Sequence, residues 1–569
     1  MAQVVADLTD LEAIKVHGDW LLARDDPQGE AIQLACTLET LGDFDPQRPL
    51  IERRLAALVE TGSRVWCAAV AETAPVASRR VGERVKPGLV RGLPAHLEGR
   101  PNHLVAMLDA AAAVAPIVSL RPIFARAGQL APLAQTATFR RLTRLALDTR
   151  MEATDPDIDV LFGEDLPMLE RLSLARAGSQ SLAAVARSGV ADHLTHLELR
   201  NLDASLTDLA PVLGARLVSL RLHGLPLGCD GIAAIAQRCP GLRVLTAERC
   251  SIDTKALELL ATHRAFAGLV TLELGGNPHK AAGLVALGSS KTLANVARLS
   301  LRRFDGQSPP FGAKLLEALL GAVRGKQLRA LDLERCNIRV EGAAVLAAAK
   351  SLASLQELRL GFNALGDDGI AALAKSRTLG ALRVVDIAGN TITAKGMAAL
   401  GAAPWLARVE ELVMRHNKVG AAGGLALATA GNLEALRVLH LGQNWLGESG
   451  MHAILAAADR IERIEEPRLN SYGATIFDAF VESDTLALTH LRLAAPTAEA
   501  YAKLATSPRA ASLRELMLFP AGPLDAGVAT ALAASPHLTQ LGTLDISSGI
   551  PDDARAILEQ RFGPRVAFV

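Results

Sequence analysis

The sequence predicts an α/β solenoid, with short parallel strands stacked into one sheet and helices behind it, and three observations predict it. The first is strict repetition. "LQELRLGFNALGDDGIAALAKS" from Leu355 is echoed by "LRALDLERCNIRVEGAAVLAAAKS" from Leu328, "LRVVDIAGNTITAKGMAALGAA" from Leu382, "VEELVMRHNKVGAAGGLALATA" from Val409 and "LRVLHLGQNWLGESGMHAILAA" from Leu436, a spacing of 27 residues each time. The second is a change of hydrophobic period inside each unit, from the alternation of a strand to an Ala-rich, helix-favouring run. The third is composition: 50% of the residues are hydrophobic but only 3% are aromatic, so Leu, Ala, Val and Ile must build the core.

Each unit opens with Leu-x-x-Leu-x-Leu, as in Leu355, Leu358 and Leu360, and the last two leucines define a short strand with one buried face. Eight residues after the first Leu stands Asn277, Asn363, Asn390, Asn417 or Asn444, replaced by Cys250 and Cys336 in two units. An inward Asn can satisfy the backbone where the chain leaves the strand, and a small Cys can fill the same slot. Further on come a glycine (Gly342, Gly369, Gly396, Gly423, Gly450) and, four residues later, an aliphatic residue (Leu346, Leu373, Leu400, Leu427, Ile454) on the helix. No single strand–turn–helix unit can bury its own apolar face; stacking makes the core.

Weaker copies extend the array from Ile117 to Leu541, with the Asn lost toward both ends. Two units are irregular: the one holding residues 304–327, where Pro309 and Pro310 suggest a bulged loop, and the one from Ile461 to about residue 487. "ARAILEQRFGPRVAFV" reads as a last helix and a closing strand.

These units resemble leucine-rich repeats of the ribonuclease-inhibitor type, and "DGIAAIAQRCPGLRVLTAERCSI" (230–252) is similar to the cysteine-containing subtype. The resemblance covers residues 116–569. It implies a horseshoe with a parallel sheet on the concave face and helices on the convex face. Residues 1–75 differ. They have helical periodicity, with Leu50, Ile51, Leu55, Leu58 and Val59 on one stripe, and resemble the repeat-companion domain found ahead of such repeats in some bacterial proteins, notably in Asp19-Trp20-Leu21 and Asp26-Pro27-x-Gly29-Glu30. Asp26-Pro27 with Gly29 reads as an inter-helix turn and Trp20 as core. Residues 76–115 are expected to hold a linker and the start of a cap.

Lys+Arg and Asp+Glu both number 60, and a neutral chain with few aromatics lacks the electrostatic footprint of a nucleic-acid binder. Six cysteines without a CxxC pair or zinc spacing point to a reduced, cytoplasmic protein. The N-terminus has no apolar signal run, and "LVAMLDAAAAVAPIVSL" (104–120) is broken by Asp109 and Pro116, short of a membrane span. "GAVRGKQ" (321–327) is one residue short of a phosphate-binding loop and has no Ser or Thr after Lys326, so it reads as a helix end. His193, His196 and His223 read as surface histidines rather than a metal site. No catalytic motif, metal or cofactor is expected.

The working surface is therefore expected on the concave face. Between the second and third Leu stand Ser300, Asp332, Arg359, Asp386, Val413 and His440, of which Asp332, Arg359 and Asp386 are expected to pair laterally. The two positions after the third Leu are rich in arginine, including Arg302-Arg303, Glu334-Arg335 and Arg415-His416. Gly361, Ala388, Gly389 and Gly442 leave room between Arg335 and Arg415, with Phe362 beside the gap. Arg302, Arg303, Arg335, Arg359, Phe362, Arg415, His416, His440, Gln443 and Trp445 form the candidate partner-binding set, and arginines around an aromatic anchor suit a protein with an acidic patch. The reading is a non-catalytic protein-interaction scaffold; the alternative is a GTPase-activating or other regulatory repeat protein.

Overall fold

A computed structural model describes residues 10–41, 45, 47–73, 85–123, 128–148, 155–163, 166–201, 203–304, 311–322, 328–457, 461–465, 473–482, 486–494, 497–520, 522–547 and 550–568. The loop at Pro309 and Pro310, the end of "GAVRGKQ" and the middle of the irregular unit after Ile461 lie outside the described residues. The chain divides into two compact units, Met1–Ile252 with His263–Leu269, and Asp253–Thr262 with Val270–Val569.

The first unit begins with three helices, α1 (Leu11–Leu22), α2 (Pro27–Thr40) and α3 (Arg48–Trp66). The Asp26-Pro27-x-Gly29-Glu30 motif builds their junctions. Asp26 caps α2 by accepting from the Gln28 N–H at 2.9 Å, with Pro27 at the start of the helix, where a missing donor costs nothing. A Cβ on Gly29 would lie 2.5 Å from the Gly18 carbonyl oxygen, so glycine lets α1 and α2 approach. Glu30 receives both Nε and Nη2 of Arg54 from α3 at 2.6 Å. Two expectations are corrected. Trp20 is 47% exposed rather than core, lying against the Arg24 guanidinium at 3.7 Å and stacked on His17. Leu50 is 64% exposed and leaves the apolar stripe.

Strands β1 (Lys86–Val90) and β2 (Leu93–Gly99) form an antiparallel hairpin, and Pro101–Val114 is helical. Ile14, Leu21, Ile32 and Cys36 of the helices close over Val90, Leu93 and Ala95 of this hairpin. From β2 the sheet is parallel through β3 (Ser119–Pro122), β4 (Arg144–Asp148), β5 (Arg171–Ala175), β6 (His196–Arg200), β7 (Ser219–His223) and β8 (Val244–Glu248).

The second unit repeats the plan with shorter strands: β9 (Thr271–Glu273), β10 (Arg298–Ser300), β11 (Ala330–Asp332), β12 (Glu357–Arg359), β13 (Val384–Asp386), β14 (Glu411–Val413), β15 (Val438–His440) and β16 (Arg463–Glu465). Leu331, Leu358, Val385, Leu412 and Leu439 stand in one register row, all buried. A separate parallel ladder holds β17 (His490–Ala494), β18 (Glu515–Phe519), β19 (Thr543–Ile546) and β20 (Val566–Phe568). The expected last helix and closing strand are Asp552–Phe562 and β20.

The asparagine slots link successive repeats. Asn390 is fully buried; its Nδ2 donates to the carbonyls of Leu360 at 2.8 Å and Ala388 at 3.1 Å. Its Oδ1 accepts the backbone N–H groups of Asn363 at 2.9 Å and Leu365 at 3.2 Å, one repeat earlier. Asn417 does the same for Asn390 and Ile392. Cys336 occupies the equivalent position and donates its thiol to the Leu301 carbonyl at 3.3 Å, as Cys250 does to Leu222 at 3.4 Å. Burial pushes both thiols up, Cys250 to about 11. Glycines close the helix side: a Cβ on Gly450 would lie 2.9 Å from Ala421 Cα in the preceding helix.

Asn390→Ala is expected to destabilise the second unit by about 3 kcal/mol or more, because it strands the buried N–H groups of Asn363 and Leu365 and the Leu360 carbonyl. Asn390→Cys should lose less, since a thiol still reaches a carbonyl. Urea denaturation of both variants checks the order; an Asn390→Ala midpoint equal to wild type would contradict it.

Candidate functional site

Beyond β9 and β11 to β15 the chain passes into the left-handed region at one shared position of the repeat. Arg335, Phe362, His416 and Gln443 have φ of 59°, 57°, 58° and 61°, with Gly276 at 71° and Gly389 at 62° in the same row. Of these residues, Arg335 donates its N–H to the Gly361 carbonyl of the following repeat at 2.8 Å, Phe362 to Ala388 at 2.7 Å, Gly389 to Arg415 at 2.8 Å and His416 to Gly442 at 2.8 Å. The ladder thus continues past the strands. It offsets a left-handed conformation that costs a non-glycine residue roughly 1–2 kcal/mol.

This row brings Arg335, Phe362 and His416 together. The Arg335 guanidinium carbon lies 4.2 Å from the Phe362 ring centroid, within cation–π range, and the His416 ring lies 6.0 Å from it on the other side, tilted by 47°. The space that the small residues leave is filled from within, because the Phe362 ring rests on Gly389, where a Cβ would stand 2.4 Å from Phe362 Cδ1. Phe362 is nonetheless 37% exposed, and Arg335 and His416 are exposed beside it.

The other candidates are placed differently. Arg302 is half-buried with its guanidinium 4.7 Å from the Phe304 ring, and Arg303, expected on the open face, is only 4% exposed. Burial also removes His440 from the open face; its Nε2 lies 3.4 Å from Glu411 Oε1, and this hydrogen bond holds the Glu411 carboxyl below its ordinary range. Arg415 is half-buried beside Asp386, Gln443 is half-buried, and Trp445 stands 70% exposed in the next turn at φ 51°.

The expected lateral pairs do not form. Arg359 Nε turns along its own strand to Glu357 Oε1 at 2.6 Å. Asp332 instead accepts from Ser300 Oγ and the Glu334 N–H, both at 3.0 Å, and Asp386 accepts from the Ala388 N–H at 2.9 Å. Burial raises the carboxyls of Asp332, Asp386 and Glu334 above their ordinary range. Glu334 also lies 3.3 Å from Arg335 Nε. The site is therefore an aromatic stack with its arginines interleaved by acids. Sequence reasoning missed both these acids and Gly389 as the platform of the stack; the signal available was the recurrence of Gly224, Gly276 and Gly389 in one row.

Among the described residues, no three or more His, Cys, Asp or Glu are placed to hold a metal ion, and no helix is long and apolar enough to cross a membrane. His223 Nδ1 lies 3.1 Å from Glu248 Oε2.

Four stretches, 327–347, 351–374, 382–401 and 409–428, match the leucine-rich repeat family model. These stretches are leucine-rich repeats, and the same strand–turn–helix plan recurs in both units. Similar solved structures include an internalin (inlF) from Listeria monocytogenes, with 14% identity over 65% of this chain and 86% of that one, TM-score 0.31. The Rad7 and Elc1 complex in yeast gives 16% identity over 69% and 83%, TM-score 0.35. The complex of TLR13 with ssRNA13 gives 15% identity over 84% and 67%, TM-score 0.37. The search of curated proteins found no match.

Gly389→Ala is expected to cost about 1–2 kcal/mol in backbone strain alone and to expel the Phe362 ring as well. In a double-mutant cycle followed by urea denaturation, Phe362→Ala should relieve the clash, so the double variant loses less than the sum of the singles. Strict additivity would show that the ring does not sit on Gly389.

Proposed function

We propose that this chain is a non-catalytic, cytoplasmic interaction scaffold of the ribonuclease-inhibitor type, and that its open sheet face around Arg335, Phe362, Arg415 and His416 docks a protein bearing an acidic patch. The observation that carries this reading is Phe362 itself. An aromatic residue at φ 57° occupies a row where glycine recurs, and its ring stays partly exposed between a guanidinium and an imidazole. Sparsely populated backbone conformations persist where the surroundings hold them, and they cluster at binding sites. Aromatic and arginine anchors of this kind carry most of the energy of protein interfaces. Buried acids locally balance the arginines, which favours a partner that inserts an acidic group at the exposed Arg335 edge. The scarcity of other exposed aromatics disfavours a single-stranded nucleic acid, which needs repeated stacking platforms. Residues 1–75 are proposed as a companion module ahead of the repeats.

The test is affinity capture from native lysate with the wild-type chain and with an Arg335→Glu/Phe362→Ala/Arg415→Glu variant shown to be folded by circular dichroism. A partner held by the wild type should bind the variant about 30-fold more weakly or worse, given roughly 2 kcal/mol or more for a lost hot spot, and should weaken with salt. Partners retained equally by both proteins would refute this site.

A further inference from the structure

The first unit carries a second constellation on its own sheet face. Parallel register aligns His96, Ser119, Arg144, Arg171, His196 and Ser219 in one row across β2 to β7. In the next row Ala146 and Ser173 stand on β4 and β5, followed by Glu198 and Arg221 on β6 and β7. Alanine at the centre of that second row leaves a depression of about 220 Å³, lined by Ser119, Arg144, Arg171, His196, Ser219 and their second-row neighbours.

Two like charges meet in this depression without counter-charges in contact. Arg144 and Arg171 sit on adjacent strands, about 4.8 Å apart in the pairing direction. Neither guanidinium makes a hydrogen bond or ion pair among the described residues. The nearby acids are engaged elsewhere: Glu39 with Arg91 at 2.8 Å, Glu98 with Arg121 at 3.1 Å, and Glu198 with the Ser173 hydroxyl at 3.0 Å and Arg200 at 3.5 Å. Glu170 acts on both arginines only at longer range. Burial, then repulsion from Arg171 and Arg91, lowers Arg144 to about 10. Burial, then Arg171, Arg144 and Arg221, lowers His196 to about 4, so its ring is neutral at pH 7. Contrast Arg335 and Arg359 in the second unit, each beside a glutamate.

A half-buried pair of repelling guanidinium groups destabilises the fold unless something anionic joins it. We propose that the depression is an oxyanion site that takes a phosphate group, with the guanidinium groups of Arg144 and Arg171 as the two charged anchors and Ser219 and His196 as polar walls. A single carboxylate neutralises one guanidinium. A phosphate dianion carries nearly two charges and enough oxygens to engage both forks. The volume admits the phosphate with the first atoms of whatever carries it.

Isothermal titration calorimetry of the full chain with inorganic phosphate and with O-phosphoserine tests this, with melting temperatures followed in parallel. The expected result is saturable binding that weakens by about tenfold or more in Arg144→Gln and in Arg171→Gln, since each loses charged hydrogen bonds. Arg377→Gln, an exposed arginine of the other unit outside both sites, should bind as wild type. Both site variants should melt at or above the ligand-free wild type, because each removes a repulsion; a merely structural arginine would give the opposite. Tighter binding of phosphoserine assigns the ligand to a phosphate monoester, and equal or tighter binding of inorganic phosphate assigns it to the free ion. Absence of saturable binding by the wild type, undiminished binding by both variants, or lowered melting of both would overturn the proposal.

Discussion

The buried asparagine at the exit of each strand is the constraint on which the regular repeats depend. Where the chain turns out of the sheet, its backbone groups are buried but no longer face a strand partner. One primary amide answers from both ends: the Asn390 Nδ2 closes its own turn and the carbonyl one repeat back, while Oδ1 takes two N–H groups of the preceding repeat. The turn of one unit is therefore completed by the next. This makes stacking a requirement of hydrogen bonding as well as of apolar burial. Where cysteine replaces asparagine, at positions 250 and 336, the thiol keeps a bond to the carbonyl one repeat back, Leu222 for Cys250 and Leu301 for Cys336. The Asn444 amide oxygen, in the last unit with the motif, has no partner among the described residues.

That constraint also dictates what the surface can present. Completing the turn puts residues of most repeats into the left-handed region, and at Arg335, Phe362, Gly389 and His416 the N–H extends the ladder. The cheapest choice there is glycine. Arginine, phenylalanine and histidine in that row displace the cheaper choice, and a glycine among them supplies the platform on which the phenylalanine ring lies. Strain thus falls at the positions proposed for recognition, as expected where the fold over-determines the backbone.

The strands, the asparagine slots, their cysteine replacements and the terminal helix and strand were legible in the sequence, because each rests on spacing along the chain. What was not legible depends on which way a long side chain turns. Arg359 has acids on both neighbouring strands at its own register, yet it folds back to Glu357, two residues away on the same face of the same strand. Arg303 and Arg302 are adjacent in sequence, but only Arg303 is buried. Trp20 looked like core by type, yet an arginine and a histidine stack on it near the surface. Gly389 looked like empty space because a one-dimensional pattern shows a missing side chain but not the ring that occupies its place.

Charge shows the same limit more sharply. Equal totals of 60 basic and 60 acidic residues suggest a surface without electrostatic preference. Register decides otherwise, because parallel pairing places residues one repeat apart side by side whatever their charge. In the second unit the rows interleave, so arginines find glutamates within one or two residues. In the first unit Arg144 and Arg171 share a row whose other members are serines and neutral histidines, and the acids lie in reach of other cations. The net charge of a repeat protein therefore says little about what its sheet can hold; the pairing state of each cation within its row says much more.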